Sequence, residues 1–76
     1  MSEMMVLDHS GESKLMWDRN RPDEVTAARD HFEFLRNKKK YLAFRAEGSE
    51  GLRGSQIYKF DPNVERIIMV PPMVGG

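Results

Sequence analysis

The chain has 76 residues, no cysteine, and 12 basic against 12 acidic side chains, so its formal net charge at pH 7 is zero. A chain of this size holds one domain with only about 3 to 5 kcal/mol of net stability and little room for a buried active site. Disulfides are excluded, two histidines (His9 and His31) make a zinc site improbable, and zero net charge provides no global field for nucleic acid or an anionic membrane.

No apolar run approaches the roughly 20 residues needed to span a bilayer. Met1-Ser2-Glu3-Met4-Met5 also lacks the basic-then-apolar layout of a signal peptide. A cytoplasmic location without membrane attachment is therefore the default expectation.

Residues 4–7 and 14–17 are short apolar runs separated by the turn-forming cluster Asp8-His9-Ser10-Gly11-Glu12-Ser13, which predicts a hairpin. Leu15 and Trp17 share a face by the period of two, with Met5 and Leu7 expected to face them. Pro22, which lacks the N–H that a first helical turn does not need, marks the start of a helix. From there Val25, Ala28, Phe32 and Leu35 recur at spacings of three and four and form one apolar stripe. Asp23 and Glu24 suit the positive end of the helix dipole, and Lys38, Lys39 and Lys40 suit its negative end.

Residues 41–46 alternate, with Leu42, Phe44 and Ala46 on one side and Tyr41, Ala43 and Arg45 on the other, as a half-buried strand does. Residues 47–55 carry Gly48, Gly51 and Gly54 among charged residues and read as a mobile loop. A weaker strand follows over residues 56–60, closed by Asp61-Pro62-Asn63. Residues 64–70 then run apolar through Ile67, Ile68, Met69 and Val70, so the last strand is expected at the centre of the sheet, buried on both faces. The predicted class is α+β: a mixed sheet of four to five strands around one helix, the arrangement called a β-grasp. One domain over residues 1–70 would then be followed by an exposed tail over residues 71–76.

Pro71 and Pro72 cannot donate to a sheet ladder, so pairing should end there and the chain should leave extended. The residues from Pro71 to Gly76 would reach roughly 20 Å from the body at about 3.3 Å each. This stretch, from Glu65 through the apolar strand into Pro71-Pro72 and on to Gly75-Gly76, resembles the ubiquitin-like sulfur carriers. The likeness is greatest to the small subunit of molybdopterin synthase and to the related prokaryotic modifier proteins. It covers about a dozen residues, and the inferred order of elements extends it more loosely over the rest. Where that family has a short acidic, Gly-containing turn before the last strand, this chain has Asp61-Pro62-Asn63-Val64-Glu65-Arg66.

The resemblance implies a non-enzymatic protein whose reactive terminus is Gly75-Gly76, with Pro71 and Pro72 positioning the tail. An ATP-dependent activating (adenylating) enzyme would adenylate Gly76, after which a thiol, persulfide or amine displaces AMP. The partners implied are that enzyme and a sulfur-acceptor or target protein, and no bound cofactor or metal is implied. A terminal carboxylate is ionised at pH 7 and unreactive towards nucleophiles until converted to a mixed anhydride. Glycines, which lack Cβ, can thread a narrow channel. No residue follows Gly76, so no processing protease is expected. Sulfur carriage and protein tagging are both open.

Other residues invite functional readings that the sequence does not favour. Asp8, His9 and Ser10 are consecutive in a turn and point in different directions, which does not make a catalytic triad. Arg36 and Lys38 to Lys40 beside Tyr41, with Phe44 and Arg45, could contact single-stranded nucleic acid, but a lysine-decorated helix end explains them better. His31 reads as a boundary residue, and Trp17 and the six methionines as core and edge filling. The alternative to a carrier is a small structural or adaptor domain, of a phage or a multi-subunit assembly, that binds through its sheet and never reacts at Gly76.

Overall fold

The computed structural model describes residues 1–46 and 55–72. It contains β1 (Ser2–Asp8), β2 (Gly11–Trp17), α1 (Pro22–Asn37), β3 (Leu42–Ala46), β4 (Gln56–Ile57) and β5 (Arg66–Val70). The strands form one mixed sheet in the order β2-β1-β5-β3-β4. β5 runs parallel to β1 and antiparallel to β3, so it is the strand that joins the two halves of the sheet.

The hairpin is longer than the sequence suggests. Its strands pair from Ser2 opposite Trp17 to Asp8 opposite Gly11, leaving His9 and Ser10 as the turn. Gly11 closes it at φ +135°, a conformation that a side chain would oppose. Leu15 faces Met4 and Trp17 faces Ser2, so the core-facing residues of β1 are Met4 and Val6, and not Met5 and Leu7 as expected. The strand keeps the period of two, with its phase shifted by one residue.

The helix begins at Pro22, and Val25, Ala28, Phe32 and Leu35 are its buried residues, the stripe read from the sequence. Arg21 has no side-chain cap. Instead the Asp18 N–H donates to Glu24 Oε1 at 2.9 Å, and Arg21 Nε lies 3.3 Å from Glu24 Oε2, which keeps negative charge at the dipole's positive end. Beyond the last turn Lys40 takes φ 61°, which lets the Tyr41 N–H donate to the Leu35 carbonyl at 2.9 Å and turns the chain into β3. A residue with a Cβ is strained in this left-handed conformation.

In β3 it is the side with Ala43 that meets the helix, and Ala46 at the strand's end is buried as well. Ala43 is fully buried on the helix side, while Leu42 is 39% exposed and Phe44 half-buried on the other. The helix-covered face takes small residues here: Ala28 and Ala43 both belong to the core. β4 stops after Ile57 because the chain bends at Tyr58 and Lys59 to carry Phe60 back over the core. There its ring centroid lies 5.2 Å from Trp17 and 5.7 Å from Phe32. Trp17 Nε1 donates to the Pro62 carbonyl at 3.1 Å, satisfying the one polar atom of a fully buried indole. β5 is central as expected, but it is buried on one face only. Ile67 and Met69 face the helix, and Arg66, Ile68 and Val70 are half-buried on the open side. One helix covers one face of a sheet, and no second layer of this chain lies across the other among the described residues. Of the Gly-rich loop expected over residues 47–55, all but Ser55 lies outside the described residues.

Phe32→Ala removes a ring that is 1% exposed, and its expected cost of about 3 to 5 kcal/mol matches the whole stability of a domain this small. A chemical unfolding curve should show most of the variant unfolded in buffer at 25 °C, whereas Met16→Ala, at 51% exposure, should stay within about 0.5 kcal/mol of the parent. Lys40→Gly should raise the midpoint by a net ~0.5 to 1 kcal/mol, the relieved strain exceeding the added unfolded-state entropy. A lower midpoint would mean that the left-handed turn is not strained.

Candidate functional site

β5 ends at Val70, which pairs with Leu42, and its neighbour Met69 pairs with Val6 on the other side. Pro71 and Pro72 follow outside the ladder, Pro71 half-buried and Pro72 exposed. The missing N–H of each proline is the local reason that pairing stops. The chain therefore leaves the sheet between two turns: Asp8 to Gly11, which ends β1, and Lys38 to Tyr41, which precedes β3. The three lysines are all exposed, so the exit has a cationic flank. Gly75 and Gly76, with Met73 and Val74, lie outside the described residues.

The open face of the sheet is organised along its length. At the end away from Pro71, Glu3 Oε2 sits 3.5 Å from Arg66 Nε and 4.0 Å from Lys14 Nζ. Glu3 Oε2 and Arg66 Nε are buried yet lack hydrogen-bond geometry, so the contact is a loose ion pair of small energetic weight. Towards Pro71 the face turns apolar. Ile68 is flanked by Met5 on β1 and Phe44 on β3, and Val70 by Leu42. All five are incompletely buried, so the half of the face next to the chain exit is a contiguous apolar surface. A β5 buried on both faces, as the sequence predicts, would leave no such surface. The signal was present in the alternation itself, since Leu42 and Phe44 share a face with Ile68 and Val70 once β5 is placed between β1 and β3.

The remaining candidates resolve into structural roles. Asp8 Oδ1 accepts hydrogen bonds from the Ser10 hydroxyl and from the Ser10 N–H, the latter at 2.7 Å. The three residues thus form a side-chain-closed turn in which the hydroxyl is tied to the carboxylate and not to His9. His31 is exposed on α1 beside a shallow cavity lined by Val6, Ser13, Lys14, Leu15 and Ala27, away from any acidic cluster able to hold a metal among the described residues. Lys38 and Lys39 donate their N–H groups to the Phe34 carbonyl and so finish the helix. Trp17, Met4 and Met69 are core, whereas Met1 and Met16 are exposed.

No protein-family model, curated protein or solved structure matches the chain.

The Ser10 hydroxyl, and then its N–H, hold the Asp8 carboxyl below its ordinary pKa. A lowered folded-state value means that the ionised turn favours the folded state above the unfolded pKa, an advantage lost as the pH falls through the folded one, below about pH 4. In an NMR titration the Asp8 carboxyl midpoint should lie below that of an unstructured peptide, and Ser10→Ala should raise it part of the way back because the backbone donor remains. An unchanged midpoint would break the assignment.

Proposed function

We propose that this chain is a ubiquitin-like β-grasp protein of modifier or sulfur-carrier type, not itself an enzyme, activated at Gly76 by an ATP-dependent adenylating partner. The observation that carries the reading is the position of β5. The strand before Pro71-Pro72 is central in the order β2-β1-β5-β3-β4, and the chain leaves it beside an exposed apolar face. A central strand anchors the base of a tail on both sides, and an apolar patch beside that base offers an enzyme a surface to grip while the tail enters its cleft. The chemistry needs only the terminus. A Gly76 carboxylate oxygen attacks the α-phosphorus of ATP and pyrophosphate leaves. The acyl adenylate is then opened with loss of AMP by a thiol or an amine, or by a persulfide, in which case a second thiol cleaves the resulting acyl disulfide to the thiocarboxylate and a mixed disulfide. The sulfur-acceptor or target protein receives the product of that second step.

A second reading rests on the same face. The apolar surface around Ile68 and Phe44 suits an adaptor or structural module that docks through its sheet and does no chemistry at Gly76. The two differ in what they require of the last residue.

Incubation of the full chain with ATP, candidate adenylating enzymes, a persulfide donor and a thiol reductant, followed by intact-mass measurement, should give an adenylate, a thiocarboxylate or a conjugate. Deletion of Gly76 should abolish all three. Ile68→Asp, placed on the open face, should slow activation at least about tenfold, as loss of a docking contact does, with the spectrum of a folded domain retained. Retained binding of an enzyme or other protein by the Gly76-deleted chain, with no product from the parent, would favour the adaptor.

A further inference from the structure

The second half of α1 and the connection from β4 to β5 enclose a groove of about 340 Å³ on the helix side of the sheet. Arg29, Arg36 and Lys59 line it against a single acid among the described residues, Glu33. On a chain with no net charge this is a local concentration of positive charge. None of the three cations forms an ion pair among the described residues.

Two of them are held by aromatic rings instead. The Arg29 guanidinium carbon lies 5.9 Å from the centre of the Phe60 ring, and that of Arg36 lies 5.5 Å from the centre of Tyr58. A ring on one side fixes a guanidinium while satisfying none of its N–H donors, so its edge stays available for a carboxylate. Arg36 Nη1 donates to the Tyr41 carbonyl at 3.3 Å, which anchors this side chain on its inner side, while Nε is buried without a hydrogen-bond partner among the described residues. Nη2 has no hydrogen-bond partner among the described residues. Tyr58, which forms part of the wall, is 66% exposed beside the Arg36 guanidinium.

We propose that this groove binds a short acidic segment of a partner protein, its carboxylates paired with Arg29, Arg36 and Lys59 and its chain laid against Tyr58. The charges face one groove and are too few for the many phosphate contacts that hold a polynucleotide on a neutral protein. The groove volume fits a few side chains. β4 is antiparallel to β3, so the chain beyond Ile57 runs toward the end of the sheet where Leu42 pairs with Val70. The exposed Lys38 to Lys40 turn precedes β3 at that same end and extends the cationic surface beyond the groove. The site is separate from the open sheet face and does not require reaction at Gly76.

The test is an NMR titration of the ¹⁵N-labelled full chain with a short peptide of alternating Glu and Ser, with its Gln counterpart and with single-stranded oligothymidylate. The Glu peptide should give saturable shifts confined to residues 29–37 and 58–60, weakening as salt rises. Arg29→Glu combined with Lys59→Glu should reduce the affinity at least about tenfold. Both side chains are exposed, so a dispersed spectrum should persist. If it does not, Arg29→Gln with Lys59→Gln serves in its place and should weaken binding in the same direction. Absence of saturable shifts at millimolar peptide, equal binding of the Gln peptide, undiminished binding by the variants, or tighter binding of oligothymidylate would each overturn the proposal.

Discussion

β1 and β3 do not pair with one another, and each finds its partner in β5, the last strand of the chain. The hairpin of β1 and β2 and the pair of β3 and β4 are each marginal alone, as two-stranded units in water are. They become one sheet only when residues 66–70 enter between them. The parallel pairing with β1 closes almost the whole chain, so the costliest loop closure and the core burial of Ile67 and Met69 come together. The aromatic contacts depend on the same step. Phe60 reaches Trp17 and Phe32 because the connection into β5 passes over the open end of the core.

Once β5 is central, the surfaces follow. One helix buries one face, so the other must be shared between charge and exposed apolar side chains. It divides into an end held by Glu3, Lys14 and Arg66 and an end formed by Met5, Ile68, Phe44, Leu42 and Val70. The apolar end adjoins the point where Pro71 leaves. On the helix side the bend that carries Phe60 inward leaves Tyr58 outside, against Arg36, and so opens the groove between α1 and that bend. A chain with no net charge thus has two chemically distinct surfaces, one apolar and one cationic. With no net charge, the field of this protein is set by local geometry and not by a long-range excess of either sign.

The small core explains how such a chain can carry exposed apolar area. Its largest fully buried residues are Trp17, Phe32, Met4, Ile67 and Met69, and each large side chain contributes a sizeable share of the net stability. Among the described residues no second layer covers the other face. A partner can supply it, and that links the fold to both functional readings.

The sequence alone determined the elements whose signals are local. The helix from Pro22 with its stripe of Val25, Ala28, Phe32 and Leu35 was legible because periodicity and first-turn chemistry lie within one segment. So was the end of the last strand at Pro71, since a missing N–H acts where it stands. The phase of β1, the inward turn of Ala43 and the open second face of β5 belonged to the tertiary structure, because an alternating strand states only that two faces differ and not which one meets the helix. The groove of Arg29, Arg36, Tyr58 and Lys59 lay equally beyond the sequence. Its residues come from two segments more than twenty positions apart, and only the return of Phe60 to the core sets them side by side.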